Sequence, residues 1–365
     1  MDHHPTRLKQ FRPMRGLSFT LVALIAILGN PATDALFAAT TPTYKPQFLF
    51  GSYGRVSFGS NLRGGQGRPA TVTIHAPRLL EKPYLELDFA YLQPLGSTDR
   101  GFRTAVTVAF SEDLFHYNGK FEAKIALRNL YAEMFNLLAK GLRIWVGSRM
   151  YRGDDVYLFD FWPLDNLNTL GAGLSYERAA YRVALHVGTN RLKDDFQLQE
   201  VESPIEPIGS QTVVFMDRQR WIGSLKFTYE PKRPDRSLGY KISGYGEFHF
   251  LPSGKFRLEN RDTESLPRDL GYTIGAQFGI WGYGRKGSFT NLFVRYSAGL
   301  AAYGELAVPF GLDSQKKTTS AKELMIALST NYESRWIGVM AGAWVRYFKD
   351  ADPNREDLDD GWEGS

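Results

Sequence analysis

The residues that do covalent chemistry in enzymes are scarce in this chain. Beyond the N-terminal segment, which holds His3 and His4, the histidines are His75, His116, His186 and His249. None stands in a metal-ligand spacing such as HExxH. There is no G-x-S-x-G elbow and no phosphate-binding loop. The chain has no cysteine, which removes thiolate metal sites, Cys nucleophiles, disulfides and a lipid anchor on Cys. Adjacent carboxylates occur at Asp154/Asp155 and Asp359/Asp360, in polar stretches where such pairs are normally solvated rather than set up for glycoside hydrolysis. The sequence therefore reads as a non-enzyme without a cofactor. What remains is non-covalent chemistry, in which aromatic planes stand close to arginines and carboxylates that exchange hydrogen bonds. Three stretches concentrate it: FGSYGRV (50–56), RLLEKPYLEL (78–87) and IWVGSRMYRGDDVYLFDFWPLDNLNTLGAGL (144–174).

The elements that would position these residues are strands. In YLELDFAYL (84–92), Leu85, Leu87, Phe89 and Tyr91 alternate with Tyr84, Glu86, Asp88 and Ala90. FRTAVTVAF (102–110), YKISGYGEFHF (240–250) and NLFVRYSAGL (291–300) alternate in the same way. A period of two is the strand period, not the 3.6 of a helix. Further strand-like segments lie near 47–59, 120–130, 141–150, 170–178, 181–190, 215–230, 270–284, 321–334 and 335–348, about 13 strands in all, spaced as antiparallel hairpins. Many reach the 9–11 residues needed to cross a bilayer. Trp145, Tyr151, Trp221, Tyr229, Trp281, Tyr283, Trp336 and Tyr347 cluster near strand ends, as in the aromatic girdles of membrane barrels. Polar loops rich in Gly, Pro, Asp and Asn are expected at 60–80, 111–119, 152–169, 191–212, 252–268 and 305–320.

Composition agrees with a membrane barrel. Of 365 residues, 43% are hydrophobic and 14% aromatic, with 36 Gly and a net charge of +5. That is too apolar for disorder. The 44 basic and 39 acidic residues are spread along the chain, so the basic balance does not point to nucleic acid. A mean hydropathy of −0.30 suits an alternating barrel as well as a soluble protein. At the N-terminus, Arg7, Lys9, Arg12 and Arg15 precede an apolar run of 12 residues (17–28). The run is too short to span a bilayer and fits the core of an export signal, cleaved after Ala35, Ala38 or Ala39. Residues 1–39 are accordingly expected to be a signal peptide and 40–365 one β-barrel domain in a Gram-negative envelope.

The 144–174 stretch resembles the maltoporin family of outer-membrane carbohydrate porins. It carries the family's three-part pattern as Trp145/Gly147/Arg149/Tyr151, then Asp155/Val156/Asp160/Phe161, then Gly171/Ala172/Gly173. The 50–56 and 78–87 stretches look like the family's first two strands. NLFVRYSAG (291–299) and WIGVMAGAW (336–344) resemble later ones more loosely. The resemblance covers most of 48–348. It implies a homotrimer of eighteen-stranded antiparallel barrels, an inward third loop that narrows the pore, and a lining of aromatics and charges that passes sugars. Glucosyl rings have apolar faces that slide along aromatic planes, and polar rims that hydrogen-bond carboxylates and guanidinium groups. Many weak, similar sites favour passage over trapping.

Carried over by position, the pore aromatics are Tyr53, Tyr84, Trp162 and Phe293. The pore charges are Arg55, Arg78, Glu86, Arg128, Arg152, Asp155 and Asp160. Tyr157 replaces a histidine of the constriction loop, and Trp162 replaces a central tyrosine. Gly153 stands where the family has an arginine, with Arg152 one residue away as a substitute. By the family pattern about four C-terminal strands are absent, so the sequence reads as a truncated chain rather than a smaller barrel of about 14 strands. The expected partners are an oligosaccharide of maltose or maltodextrin type and outer-membrane lipid, with no nucleic acid. The alternatives are a general diffusion porin for ions and small solutes, and a surface adhesin or phage receptor.

Overall fold

The computed structural model describes residues 45–56, 63, 83–96, 98–113, 119, 122–190, 199–204, 210–215, 218–231, 238–257, 262–285, 287–302, 317–318, 320–350 and 360–365. The signal segment and Arg78, His75 and His116 lie outside the described residues. The strands are β1 (Gln47–Arg55), β2 (Tyr84–Pro94), β3 (Gly101–Asp113), β4 (Glu122–Phe135), β5 (Leu142–Arg152), β6 (Asn166–Arg178), β7 (Tyr181–Asn190), β8 (Gln199–Pro204), β9 (Ser210–Phe215), β10 (Arg220–Tyr229), β11 (Gly239–Leu251), β12 (Gly254–Arg257), β13 (Thr263–Leu266), β14 (Asp269–Trp281), β15 (Phe289–Gly299), β16 (Lys322–Glu333), β17 (Gly338–Lys349) and β18 (Gly361–Gly364). Fourteen of them form one antiparallel sheet in the order β1-β2-β3-β4-β5-β6-β7-β10-β11-β14-β15-β16-β17-β18, while β8–β9 and β12–β13 are separate hairpins.

The alternation seen in the sequence sets the two faces of the sheet. In β2 the polar set Glu86 and Asp88 is buried on the inside. In β15 Asn291, Phe293, Arg295 and Ser297 point inward, while Leu292 and Val294 are exposed outside. Ile274, Phe278, Leu324 and Ile326 continue the exposed apolar exterior. Apolar side chains outside and polar ones inside are what a barrel wall in lipid requires. Connections alternate in length around the sheet. The turns 95–100, 136–141, 179–180, 230–238, 282–288 and 334–337 have two to nine residues, and the intervening connections are longer except 114–121, which has eight. One rim therefore carries only short turns and the other the long loops.

One irregularity places a charge. Thr107 pairs with Asn129 and Val108 with Leu127, which leaves Arg128 as an extra residue in β4. A bulge of this kind re-aims a side chain. It puts Arg128 and Asn129 on the same inner face although they are adjacent in sequence, and this breaks period two in β4.

The strand-end aromatics divide by parity. Trp221, Tyr283 and Trp336 are exposed, as a girdle requires, but Trp145, Tyr151 and Trp281 turn to the inside. Their neighbours at even spacing, Arg149 and Gln277, face the lumen, so the rings must as well. Aromatic clustering alone did not separate the two sets.

Candidate functional site

The connection between β5 and β6, residues 153–165, enters the barrel instead of standing on the rim. It makes a single 3-10 turn at Tyr157–Phe159, closed by Asp160 in the left-handed region with φ 52°. Val156 and Phe161 bridge across it. Its apolar side chains Val156, Phe159, Phe161 and Leu164 pack against Tyr245, Phe293, Met325, Ala327 and Trp344 of the opposite wall. Two inward glycines receive it. A Cβ at Gly342 would lie 2.7 Å from Val156 Cγ1, and one at Gly275 would fall on Leu164 Cδ2.

Polar contacts anchor the loop at three places. Lys241 Nζ and Gln277 Nε2 donate to Asp154 Oδ2 at 2.7 and 2.8 Å. Lys226 Nζ donates to Asp165 Oδ2 at 2.7 Å. Arg295 Nη1 donates to the Pro163 carbonyl at 2.9 Å, and its Nε and Nη2 are held by Glu323. Burial alone would raise the Asp154 carboxyl, but Lys241 and Lys226 outweigh it and hold it below the usual carboxylate range. Burial pushes the Asp165 carboxyl up, with Lys226 opposing. Gly153 has a physical reason: a Cβ there would fall on Asp165 Oδ1 and lie 2.7 Å from Lys226 Nζ. An arginine at this position is incompatible with the Asp165–Lys226 anchor.

The loop leans on β10–β17, and a second group of inward side chains stands on the facing wall, β1–β6. At its long-loop end the rings of Tyr53 and Tyr84 lie 6.1 Å apart. Arg55 stands 5.0 Å over the Tyr84 ring, and Arg128 stands 5.8 Å from it. Tyr84 donates to Glu86, and Arg128 donates to both. Tyr53, Tyr84, Arg55, Glu86 and Arg128 thus form one cluster, as their register across β1, β2 and β4 requires. Further in, Thr107 bonds Asp88 at 2.5 Å and Asn129 bonds Thr107 at 3.0 Å.

A cavity of about 740 Å³ lies between the loop and the surrounding wall, lined among others by Tyr131, Tyr151, Arg152, Asp155, Tyr157 and Trp162. Arg149 sits 4.7 Å from the Tyr131 ring and 5.2 Å from Trp145. His186 stacks between Trp145 and Tyr151, at 5.4 and 5.3 Å. His186 stands in no metal-ligand spacing, and no motif in the sequence marks this stack. The signal that could have found it is the inward parity that His186 shares with Trp145 and Tyr151.

The remaining candidates are placed differently. Trp162 lines the cavity, but the Arg152 guanidinium lies 4.0 Å from its ring and the residue is only 6% exposed. Phe293 faces inward, as parity required, yet it is 1% exposed because the loop covers it. Asp160 is exposed at the turn that ends the 3-10 segment. Parity shows which face a residue occupies and cannot show what a distant loop lays over it.

The family model of the LamB porins matches residues 48–362. No curated protein matches the chain. Among solved structures, Salmonella typhi OmpF in complex with daunomycin aligns at 9% identity over 87% of this chain and 94% of that one, with a TM-score of 0.37. The trimer form of Vibrio cholerae OmpT aligns at 9% identity over 84% and 88%, with a TM-score of 0.35. Pseudomonas aeruginosa OccD3 aligns at 12% identity over 76% and 69%, with a TM-score of 0.30.

Proposed function

The chain belongs to the LamB porin family and is an outer-membrane β-barrel channel, and from this premise we propose that it passes sugars of maltodextrin type by facilitated diffusion. It would do so without chemistry, driven by the solute gradient alone. The observation that carries this reading is the cluster at the long-loop end of β1 and β2. There the rings of Tyr53 and Tyr84, 6.1 Å apart, stand beside Arg55, Arg128 and Glu86. Ring faces for the apolar side of a pyranose, next to forked donors and a carboxylate for its hydroxyls, suit a sugar better than a bare ion. Asp155, Tyr157 and Arg152 line the cavity that follows and supply the polar groups of the constriction.

A second reading is a general diffusion porin. The observation favouring it is that Trp162 and Phe293 offer little open ring face, one beneath Arg152 and the other beneath the loop. Titrating maltohexaose against single-channel current separates the two. The sugar reading expects concentration-dependent block that weakens in Tyr53→Ala and Tyr84→Ala. Absence of block in the wild type would leave the general porin. We also propose that residues 1–39 are removed on export and that the channel works as a homotrimer. N-terminal sequencing of membrane-extracted protein and its mass in detergent test these two points.

A further inference from the structure

A second ring pair lies at the other end of the lumen, and none of the expected sugar-contacting residues belongs to it. Trp281, the last residue of β14, stands directly opposite Phe289 of β15 and opposite Gly239 of β11. All three sit on the short-turn rim. The parity of β14 turns Trp281 to the same side as Gln277 and Gly279, and both Trp281 and Phe289 line the 740 Å³ cavity. The indole lies flat on the sheet: a Cβ at Gly239 would be 2.5 Å from Trp281 Cζ2. With no side chain beneath it, the ring is held against the backbone and its other face is turned into the barrel.

Polar groups border this plate. A Cβ at Gly279, one inward position from Trp281, would meet Asn291 Oδ1 at 2.6 Å and Lys241 Cε at 3.0 Å. The missing side chain lets Asn291 and Lys241 converge there. Gln277 donates to Asn291 at 3.1 Å, which fixes the amide, and both Asn291 and Lys241 line the cavity. A flat ring, a second ring beside it and a rim of amide and ammonium donors match a hexopyranose, with its apolar face on the ring and its hydroxyls at the rim. The simpler alternative, an interfacial girdle, requires the ring to point to lipid, and it points to the lumen.

The geometry points to a pyranose-binding subsite at the short-turn end, with Trp281 as the stacking plate, Phe289 beside it, and Asn291 and Lys241 as hydroxyl partners. This rests on the sugar-channel reading and extends it with a release-side station. A sugar would pass from the Tyr53/Tyr84 cluster, along the cavity, to Trp281.

The test is maltohexaose block of the full-length channel in planar bilayers, with sugar added to the short-turn side, for wild type, Trp281→Ala and Trp281→Phe. The subsite predicts that Trp281→Ala raises the sugar off-rate about three- to tenfold, the loss expected for one aromatic stacking contact, while Trp281→Phe keeps most of the block. If Trp281→Ala changes open conductance but leaves the off-rate at the wild-type value, Trp281 is only wall and the subsite is overturned while sugar passage stands. If the wild type is not blocked by any sugar, the sugar reading fails and the subsite with it.

Discussion

Lys226→Met would test how firmly the inward loop is held. In the native protein Lys226 Nζ and Asp165 Oδ2 are 2.7 Å apart. At an effective dielectric of 20 that separation corresponds to a gross attraction of about 6 kcal/mol. Desolvation offsets much of it, and removing one partner of a buried pair costs about 3–5 kcal/mol, because the other charge is left uncompensated. The loop keeps its hold at Asp154 and at the Pro163 carbonyl. It therefore stays inside the barrel while its Asp165 end lifts from the wall. Single-channel recording at pH 8 should show higher conductance and larger current noise than wild type. At pH 5 the difference should shrink: Asp165 already has a raised carboxyl, and without Lys226 it takes up a proton more readily. The double variant Lys226→Met/Asp165→Leu leaves no charge behind and should record like wild type at both pH values. Conductance and noise unchanged in Lys226→Met at pH 8 would refute the anchoring role.

Other predictions concern the same loop and the sugar path. Gly342→Val places side-chain atoms where Val156 Cγ1 lies, an overpacking of about 1–3 kcal/mol; in this cysteine-free chain, Phe159→Cys should react with a water-soluble thiol reagent slowly in the native background and faster with Gly342→Val. Gly153→Arg should break the Asp165–Lys226 anchor and reproduce the conductance of Lys226→Met. The Asp154 carboxyl is lowered, so its contribution to loop stability is present above the ordinary carboxylate value of about 3.9 and is lost as pH falls through the lower folded value. Asp165 is raised, so its protonation on acidification favours the folded form. The acid-induced change in wild-type conductance that comes from Asp154 should accordingly appear only below about pH 3.9, and a change at higher pH reports proton uptake by Asp165.

Period two was legible in the sequence because one wall of a barrel faces lipid and the other water. It put Glu86, Asp88, Phe293 and Arg295 on the correct face, and the 144–174 stretch identified the loop that enters the lumen. Three things were not legible, each for a physical reason. The bulge at Arg128 breaks the alternation within β4, and only pairing with β3 reveals it. The covering of Phe293 depends on where a loop from β5 lands some 130 residues away in sequence. The Trp281 plate depends on a glycine in another strand, Gly239, and no local pattern couples the two. Gly153 is the converse case: its departure from the family pattern was visible in the sequence, and the structure supplies the cause in the Asp165–Lys226 pair that occupies the space.

The most direct test of sugar recognition in the lumen compares maltohexaose with a polyethylene glycol of the same hydrodynamic radius on single wild-type channels. Stacking and hydroxyl contacts predict saturable block by maltohexaose at concentrations where the polymer leaves the current unchanged. Equal reduction by both solutes at every concentration would mean that the pore sorts by size alone, and would contradict the account.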